Sequence, residues 1–305
     1  MSKKLASSRA KPPVRLELTD LAAAVALRLR GGIPRLSLGM TMNLDKCSAV
    51  ITGASAGIGR EFARQLASRA KLLVLVARRR DRLEQLRTEL VARNPALLVN
   101  IRETDLSNLE QTMQLAALLT NEPIDFLINN AGVGDHGSFA TADPIHVNEQ
   151  VLVNVLALTA LTRALLPRMI AQKRGAILNV SSSAGFLPLP GIAVYAATKA
   201  YVTSFSEAIR AETRDCGITV TALCPGPVHT EFAEIANRQE HRGKRRDSFV
   251  HVPVEKVARA GLQAIKRDKP LVIPGIAMKI AMAIARALPL SLLRVVSGIA
   301  KHDQD

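Results

Sequence analysis

The segment 47–67, CSAVITGASAGIGREFARQLA, constrains the fold most, because an apolar run, a glycine-rich turn and a helical pattern follow one another in it. This order is typical of a strand, a phosphate-binding loop and a helix. Gly53 permits the tight turn, Gly57 lets the backbone approach a pyrophosphate, and Gly59 allows the helix to pack closely on the strand. The anion would lie at the helix N-terminus, where free N–H groups and the helix dipole attract it. A strand-to-helix turn that needs glycine only for its geometry explains the pattern equally well.

Apolar runs alternate with helical patterns along the rest of the chain, which indicates repeated β–α units. The predicted strands cover 49–52, 72–77, 97–103, 126–129, 176–181, 219–224 and 271–273. The predicted helices cover 59–68, 80–94, 107–120, 147–172, 193–215 and 254–266. We therefore expect an α/β fold with a doubly wound parallel sheet of about seven strands and helices on both faces.

The 305 residues show no internal break in composition, so we expect one domain with two arms. The domain would cover 44–274, between a basic N-terminal arm at 1–43 and an apolar, amphipathic tail at 275–305. Basic residues and prolines interrupt the apolar tail, which predicts an interfacial or cap helix and not a membrane span. The N-terminal arm lacks a convincing secretory cleavage site, while an organelle transit peptide and a natural start at Met40 or Met42 stay open.

The net charge of +15 is concentrated at the two ends of the chain. Residues 1–46 carry nine basic and three acidic side chains, residues 242–305 carry thirteen and five, and the 195 residues between them are nearly neutral. This distribution suggests that the arms contact an anionic membrane, an acidic partner or an acidic substrate carrier. A solvated basic surface that aids solubility is an equal alternative. We expect no nucleic-acid partner.

The cysteines and histidines follow no ligand pattern. Three cysteines, at 47, 216 and 224, are an odd number without metal-like spacing, which indicates free thiols in a reducing compartment. The six histidines are scattered, so we predict no catalytic metal. We expect a cytoplasmic protein, with peripheral membrane contact as the alternative.

Tyr195 and Lys199 are four residues apart in YAATK, and Ser182 lies thirteen residues upstream of the tyrosine in NVSSSAG. Residues four apart share one face of a helix, so the ammonium group can lie beside the phenol. A nearby cation favours the phenolate and would lower the pKa of Tyr195 from about 10 toward neutrality. Ser182 would hold a carbonyl oxygen. A Tyr-x-x-x-Lys pair alone is a weak signal, because many helices contain one by chance.

Seven ordered motifs over about 180 residues strengthen this interpretation. They are TGASAGIG at 52–59, DLS at 105–107, NNAG at 129–132, VNV around Asn154, NVSS ending at Ser182, YAATK ending at Lys199 and PGPVHT at 225–230. With these motifs the chain resembles the short-chain dehydrogenase/reductase family, and within it a large branch of poorly characterised bacterial cytoplasmic reductases. The resemblance implies an oxidoreductase that acts on CH–OH and C=O groups with NAD(P).

The resemblance also implies roles for individual residues. Ser182, Tyr195 and Lys199 would be catalytic. Asn154 would help a water-linked proton path reach Lys199, or bend its helix, or do both. Lys199 would also hold the nicotinamide ribose, and Asn130 would border the cofactor or tie strands together. The implied cofactor-binding residues are Gly53, Ser55, Gly57, Ile58, Gly59, Asp105, Leu106, Asn130, Ala131, Gly132, Tyr195, Lys199, Pro225, Gly226, Val228 and Thr230.

The residues after the second predicted strand bear on the choice of cofactor. An acidic residue there would bind the ribose 2′-OH of NAD, whereas an arginine would accept the 2′-phosphate of NADP. Here Ala77 is followed by three arginines. NADP(H) is therefore favoured over NAD(H), with Arg78 as the primary phosphate ligand, Arg79 as an optional second and Arg80 as an exposed charge.

We expect the chain to reduce a ketone or aldehyde on a medium-sized apolar substrate, acyl-linked or steroid-like, with Tyr195 as general acid. The stretch FLPLPGIAV at 186–194 would form an apolar wall, and the basic stretch at 241–247 would border the entrance. One alternative is a lipid or acyl-chain carbonyl reductase at a membrane surface. Another, of a different class, is a non-enzymatic dinucleotide sensor or scaffold. The resemblance implies a homodimer or homotetramer.

Overall fold

The structure is a computed structural model that describes residues 42–228, 230–232 and 251–289. The residues 1–41, His229, the basic stretch at 241–247 and the end of the tail at 290–305 lie outside the described residues. The division into arm, domain and tail therefore stays a prediction.

Strands and helices alternate along the described chain. In order they are β1 (Ser48–Thr52), α1 (Gly57–Leu66), β2 (Leu72–Ala77), α2 (Arg80–Arg93), β3 (Leu98–Glu103), α3 (Leu109–Thr120), β4 (Phe126–Asn129), α4 (Pro144–Val151), α5 (Leu158–Ala171), β5 (Gly175–Val180), α6 (Ala193–Glu212), β6 (Ile218–Leu223), α7 (Val254–Lys266), β7 (Leu271–Val272) and α8 (Ile276–Ala287). A π-helical segment, Leu152–Ala157, joins α4 to α5, and short 3₁₀ helices form at Phe139–Thr141 and Ser183–Phe186.

The seven strands form one parallel sheet in the order β3-β2-β1-β4-β5-β6-β7. Because β1 pairs with β2 on one side and with β4 on the other, the winding reverses between β1 and β4. In open α/β sheets, ligands bind in the crevice beyond the carboxyl ends of the strands at such a reversal. The glycine-rich loop follows β1 and the NNAG segment ends β4, so both predicted motifs lie at this crevice.

Alternate residues of the central strands enter two cores on opposite faces of the sheet. In β1, Ala49 and Ile51 pack in one core with side chains of α1, α2 and α7, including Phe62 and Leu86. Val50 packs in the other core with side chains of α3 and α5. The chain contains no tryptophan, and aliphatic side chains supply most of both cores.

The predicted fold class is confirmed, and the seven strands begin and end within one residue of their predicted bounds. The prediction of one continuous helix at 147–172 is wrong about the start of the helix and about its continuity. It begins earlier, at Pro144 after an Asp143 cap, and a π-helical segment interrupts it around Asn154. Hydrophobic periodicity does not reveal this change of hydrogen bonding, which depends on the contacts of the Asn154 side chain.

One helical stretch in the described part of the chain, Pro144–Ala171, is long and apolar enough to cross a membrane by length and composition. Its apolar side chains include Leu161, Leu165 and Met169, which are buried in the second core. Core helices of globular domains have this composition too.

Candidate active site

The glycine-rich loop leaves α1 with an open N-terminus. Gly53 and Gly57 have φ values of +66° and +53°, which side chains with a Cβ atom rarely adopt. The N-cap residue Ala56 makes no side-chain cap, and the first turn of α1 contains no acidic residue. The N–H groups and the dipole of the helix can therefore bind an anion. This arrangement fits the pyrophosphate of a dinucleotide.

Asn130 connects the glycine-rich loop to the end of β4. Its Nδ2 donates to the carbonyl oxygens of Thr52 at 2.9 Å and Gly53 at 3.3 Å, and its backbone N–H donates to Thr52 Oγ1 at 2.9 Å. A Cβ atom on Gly59 would lie 2.4 Å from both the Gly53 carbonyl oxygen and Asn130 Nδ2. The loop, the amide and the start of α1 thus pack without free space, and Asn130 does tie two strands together.

Lys199 is 4% exposed, and its Nζ donates to the Val180 carbonyl oxygen at 2.9 Å. Burial lowers the pKa of Lys199 from 10.5 to about 8, although charge interaction with Cys224 acts in the opposite direction. The Nζ atom lies 5.7 Å from the centroid of the Tyr195 ring. The lysine and the tyrosine therefore share one face of α6, as their spacing predicts.

The pKa of Tyr195 differs in direction from the sequence-based expectation. Burial raises it above the usual value of 10, and a hydrogen bond with Ser182 lowers it by less. Removal of the phenol from water disfavours the phenolate, and the hydrogen bond with Ser182 does not offset this. The phenol is therefore held protonated, in contact with the Ser182 hydroxyl.

Asn154 lies in the π-helical segment and bonds to two neighbouring elements. Its Oδ1 accepts from the Val133 N–H at 2.9 Å, and its Nδ2 donates to the Val133 carbonyl at 2.9 Å and to Thr198 Oγ1 at 3.0 Å. A Cβ atom on Gly132 would lie 3.3 Å from both Asn154 Oδ1 and Lys199 Nζ. Gly132 therefore allows the amide and the ammonium group to approach the same point. The two roles considered for Asn154, distortion of its helix and proximity to Lys199, are both compatible with this geometry.

Of the three consecutive serines, Ser182 contacts the tyrosine. Ser181 Oγ instead donates to the Lys199 carbonyl at 2.7 Å and lies 2.7 Å from Thr203 Oγ1, so its hydroxyl serves the packing of α6. Ser182 Oγ accepts from the Ala184 N–H at 3.1 Å and caps the short helix that follows β5. The Ser183 N–H donates to the Pro225 carbonyl at 2.9 Å, which joins this turn to the loop after β6.

The arginines after β2 differ in their contacts with the glycine-rich loop, and their predicted roles as phosphate ligands stay a prediction. Arg78 is exposed, whereas Arg79 Nη2 donates to Ser55 Oγ in the glycine-rich loop at 3.2 Å. Arg79, and not Arg78, is thus the arginine in contact with the loop, because residue 79 caps α2 and turns toward it. Arg80 is exposed at the start of α2 and lies within 3.8 Å of Glu84 and Glu103.

Two further charged residues join Arg79, and sequence reasoning missed both. Glu231 accepts a hydrogen bond from Arg79 Nη1 at 2.9 Å and another from Arg82. Arg82 is in the first turn of α2, so its spacing from Arg79 was a usable signal. Nothing in the sequence connects Glu231 with residues about 150 positions earlier.

The remaining implied cofactor residues lie around the same crevice. A Cβ atom on Gly57 would be 3.2 Å from the Thr230 methyl group, which places the loop after β6 over the glycine-rich loop. Val228 packs on the first core, and Gly226 lies against Met278 of α8. Asp105 Oδ1 accepts from the Ser107 N–H at 3.0 Å and hydroxyl at 2.7 Å, so its carboxylate shapes the turn after β3. Leu106 is buried in the second core, and Ala131 packs against that core.

The residues expected to form an apolar substrate wall lie on another side of α6. Leu187, Leu189 and alanines of α6 line a groove of about 550 Å³, and Ser182, Tyr195 and Lys199 do not line it. Phe186 and Leu187 also pack against α8. Phe232 lies beside the tyrosine itself, with 5.5 Å between ring centroids. Among the described residues, no group of three or more His, Cys, Asp or Glu side chains could hold a metal ion.

The fold and the site define an α/β protein with a dinucleotide-type cleft and a Ser–Tyr–Lys cluster beside it. The sequence profile of the short chain dehydrogenases matches residues 48–241, more than half of the chain. The chain therefore belongs to the short-chain dehydrogenase/reductase family, as predicted.

Two curated relatives illustrate the similarity. The chain is 34% identical over 241 residues to the NADP-dependent 3-hydroxy acid dehydrogenase of Schizosaccharomyces pombe, covering 75% of this chain and 91% of the relative. It is 32% identical over 195 residues to the very-long-chain 3-oxoacyl-CoA reductase of Bos taurus, covering 61% of each. The chain thus spans about three fifths of the length of such reductases.

Solved structures with a bound cofactor share this fold. A short-chain dehydrogenase from Sphingobium yanoikuyae in complex with NADPH is 31% identical, with a TM-score of 0.70, and the match covers 79% of this chain and 93% of that one. A relative from Burkholderia phymatum in complex with NAD is 27% identical, with a TM-score of 0.67 and coverage of 79% and 92%. A dinucleotide cofactor is therefore supported, and both kinds occur among similar structures.

Proposed function

We propose that this protein is an NADP(H)-dependent reductase that converts a ketone or aldehyde on an apolar substrate to an alcohol, with Tyr195 as the proton donor. The observation that carries the proposal is the convergence of Ser182, Tyr195, Lys199 and Asn154 beside the open glycine-rich loop. The nicotinamide cofactor, when bound, supplies a hydride to the carbonyl carbon.

The protein's own groups handle the proton and the negative charge that develops on the substrate oxygen. Burial keeps Tyr195 protonated near neutral pH, which suits a general acid. The Ser182 hydroxyl holds the phenol and the substrate oxygen in one orientation. When Tyr195 gives up its proton, the charged form of Lys199 stabilises the phenolate, and a pKa of about 8 lets the lysine return a proton. Asn154 holds the backbone of residue 133 close to Lys199.

Arg79 supports the preference for NADP(H), because its guanidinium group follows β2, where an arginine can accept a 2′-phosphate, and lies beside Ser55 of the glycine-rich loop. We propose Arg79 as the first ligand of the 2′-phosphate and Arg78 as the second, which reverses the order expected from the sequence.

The relatives favour a substrate with a 3-oxo group on an acyl chain. We infer a medium-sized 3-oxoacyl thioester or 3-oxo acid, since the names of the two relatives share this position of oxidation. Phe232 beside Tyr195 would contact an apolar chain.

The test is a panel of 3-oxoacyl-CoA esters of graded length, 3-hydroxy acids and bulky ketones, assayed with NADPH, NADH and their oxidised forms. We expect NADPH oxidation with 3-oxoacyl substrates and none with Tyr195→Phe. Turnover of bulky ketones alone would refute the acyl assignment. Cofactor binding without turnover across the panel would favour the sensor or scaffold.

A second candidate function is supported by α8. Ile276, Ile280 and Ile284 form an exposed stripe with i, i+4 spacing, Lys279 is exposed beside it, and Met278 and Met282 pack inward. Such a helix suits an anionic membrane surface, which would present lipid-linked acyl chains to the site. We expect the full chain to sediment with phosphatidylserine vesicles in low salt if this candidate holds, and Ile280→Asp to abolish it. Val91→Asp, at an exposed position on α2, is the control.

Exposed apolar residues on the helices of the second face support the proposed dimer or tetramer. Leu109 and Met113 of α3, Val151 of α4 and Tyr201 of α6 are exposed in the single chain. Light scattering should give at least twice the mass of 32.8 kDa, and Met113→Lys should reduce it. A monomer at micromolar concentration would contradict this proposal. A cytoplasmic location likewise stays a proposal.

A further inference from the structure

Three consecutive residues, Thr230, Glu231 and Phe232, contact three separate parts of the cleft. Thr230 lies over Gly57 in the glycine-rich loop. Glu231 binds Arg79 and Arg82, and Phe232 packs on Tyr195. We name these residues the bridging tripeptide. A backbone displacement at one of the three contacts can be transmitted to the others, because adjacent Cα atoms are only about 3.8 Å apart.

Arg79 and Arg82 form a site for an anion, and the carboxylate of Glu231 already occupies it. The carboxylate accepts from two guanidinium groups, which hold the pKa of Glu231 below its usual range. Arg79 also donates to Ser55, so this site borders the loop that would bind the pyrophosphate. The side chains of Arg79, Arg82 and Glu231 are 39%, 34% and 42% exposed, so a solute can reach them.

A phosphate monoester competes better for this site than a neutral group does. It carries about −1.5 to −2 charges at pH 7 and three acceptor oxygens, whereas a ribose hydroxyl carries no charge. Exposed ion pairs are individually weak, so a bound dianion can displace a carboxylate from two arginines.

We propose that Glu231 occupies the site of the cofactor 2′-phosphate and is displaced by it, so that NADP(H), but not NAD(H), shifts the bridging tripeptide and moves Phe232 on Tyr195. This inference rests on the proposed function. It assigns Glu231 as a specificity-determining residue that acts through Arg79 and Arg82, and it makes the tyrosine respond to the phosphate.

Binding of 2′,5′-ADP and 5′-AMP tests the competition without any substrate, because the two nucleotides differ only in the 2′-phosphate. By calorimetry, Glu231→Gln should lower the Kd of 2′,5′-ADP by about 3- to 10-fold, since the variant removes the competing charge from exposed ion pairs. The Kd of 5′-AMP should not change. Glu84→Gln, which removes a carboxylate from α2 near Arg80 and Arg87, is the matched control and should change neither value. Arg82→Gln should raise the Kd of 2′,5′-ADP alone.

The absence of tryptophan from the chain provides a direct report on Phe232. In Phe232→Trp, 2′,5′-ADP should change the tryptophan emission and 5′-AMP should not. In the double variant Glu231→Gln, Phe232→Trp, the tryptophan emission without nucleotide should already be close to the emission that 2′,5′-ADP induces in Phe232→Trp. Either nucleotide should then change this emission only weakly. If the reporter variant does not fold, calorimetry on Glu231→Gln still decides the competition.

The outcomes separate the inference from the proposed function. If the wild-type protein binds 2′,5′-ADP no more tightly than 5′-AMP, the proposed preference for NADP(H) fails. If it prefers 2′,5′-ADP while Glu231→Gln binds it equally or more weakly, the preference stands and the displacement of Glu231 is wrong. Weaker binding of 5′-AMP by Glu231→Gln would instead assign the carboxylate to the ribose hydroxyls. An equal response of the reporter to both nucleotides would refute the coupling to Phe232.

Discussion

The two ends of the cleft beyond β1 and β4 differ in burial and in the bonds that hold them. At the end that contains Tyr195, Lys199 is 4% exposed and donates to a backbone carbonyl. Asn154 bonds there to backbone and side-chain groups of neighbouring elements. At the other end, ion pairs join Arg79 and Arg82 to Glu231, with side chains 34–42% exposed. One end is fixed by packing, and the other is held by charges that a ligand can replace.

This contrast follows from what each end is proposed to do. Proton transfer needs fixed geometry and a low dielectric, since both increase the effect of nearby charges on a reacting group. Selection of a cofactor needs charges that are accessible before the ligand binds. We therefore expect changes at the buried end to alter turnover and stability, and changes at the exposed end to alter mainly cofactor affinity.

The largest effect should come from Tyr195→Phe, which removes one hydroxyl at the buried end. Turnover should fall by at least about a hundredfold, the lower range for a positioned acid, while the Kd of NADPH changes little. Tyr201→Phe is the control, because Tyr201 is the only other tyrosine, is exposed, and bonds to Thr159 at 2.9 Å. Near-normal turnover in a folded Tyr195→Phe protein would exclude this tyrosine as the acid.

A pH series on Lys199→Met should show the cost of burying a cation. The folded pKa of about 8 lies below the unfolded value of 10.5, so the unfolded state binds more protons between these pH values. The penalty is fully present below pH 8 and disappears as the pH rises toward 10.5, which corresponds to about 3 kcal/mol. Relative to the variant, the wild-type protein should therefore gain stability over this range.

Urea unfolding at pH 7, 8.5 and 9.5 measures how the difference in stability between the wild-type protein and Lys199→Met changes with pH. These pH values lie below the range in which the raised pKa of Tyr195 would contribute. Lys279→Met, at an exposed position on α8, should show no such slope. A constant difference between Lys199→Met and the wild-type protein would mean that Lys199 keeps an ordinary pKa.

Asn130→Ala tests whether the glycine-rich loop belongs to the fixed part of the cleft. The variant removes donors to the carbonyl groups of Thr52 and Gly53 and should cost about 2 kcal/mol of the free energy of unfolding. Asn148→Ala, at an exposed position on α4, should cost less than about 0.5 kcal/mol. Equal stabilities of the two variants would show that the loop does not depend on the Asn130 amide.

The sequence predicted the parts of the cleft that are held by packing better than the parts that are held by ion pairs. Apolar runs and glycine spacing depend on neighbours along the chain, which is why all seven strands and the crevice at Gly53 and Asn130 were found. The predicted direction of the Tyr195 pKa shift was wrong because burial, which a motif does not encode, outweighs the hydrogen bond with Ser182 that lowers this pKa. The π-helical segment at Asn154 and the pairing of Glu231 with Arg79 depend on contacts across the fold, and neither leaves a periodic pattern.

Arg79→Gln should have the smallest effect, confined to cofactor affinity. Loss of one charge-assisted contact to a phosphate should raise the Kd of NADPH by about tenfold, or about 1.4 kcal/mol, and leave the Kd of NADH unchanged. Arg80→Gln is the control on the adjacent residue, since Arg80 is exposed and lies near Glu84 and Glu103. Arg78→Gln should fall between the two, because its exposed side chain can reach a bound phosphate but does not contact the loop. If Arg78→Gln were the more damaging variant, the contact of Arg79 with Ser55 would be a packing feature and the assignment of the phosphate ligand would return to Arg78.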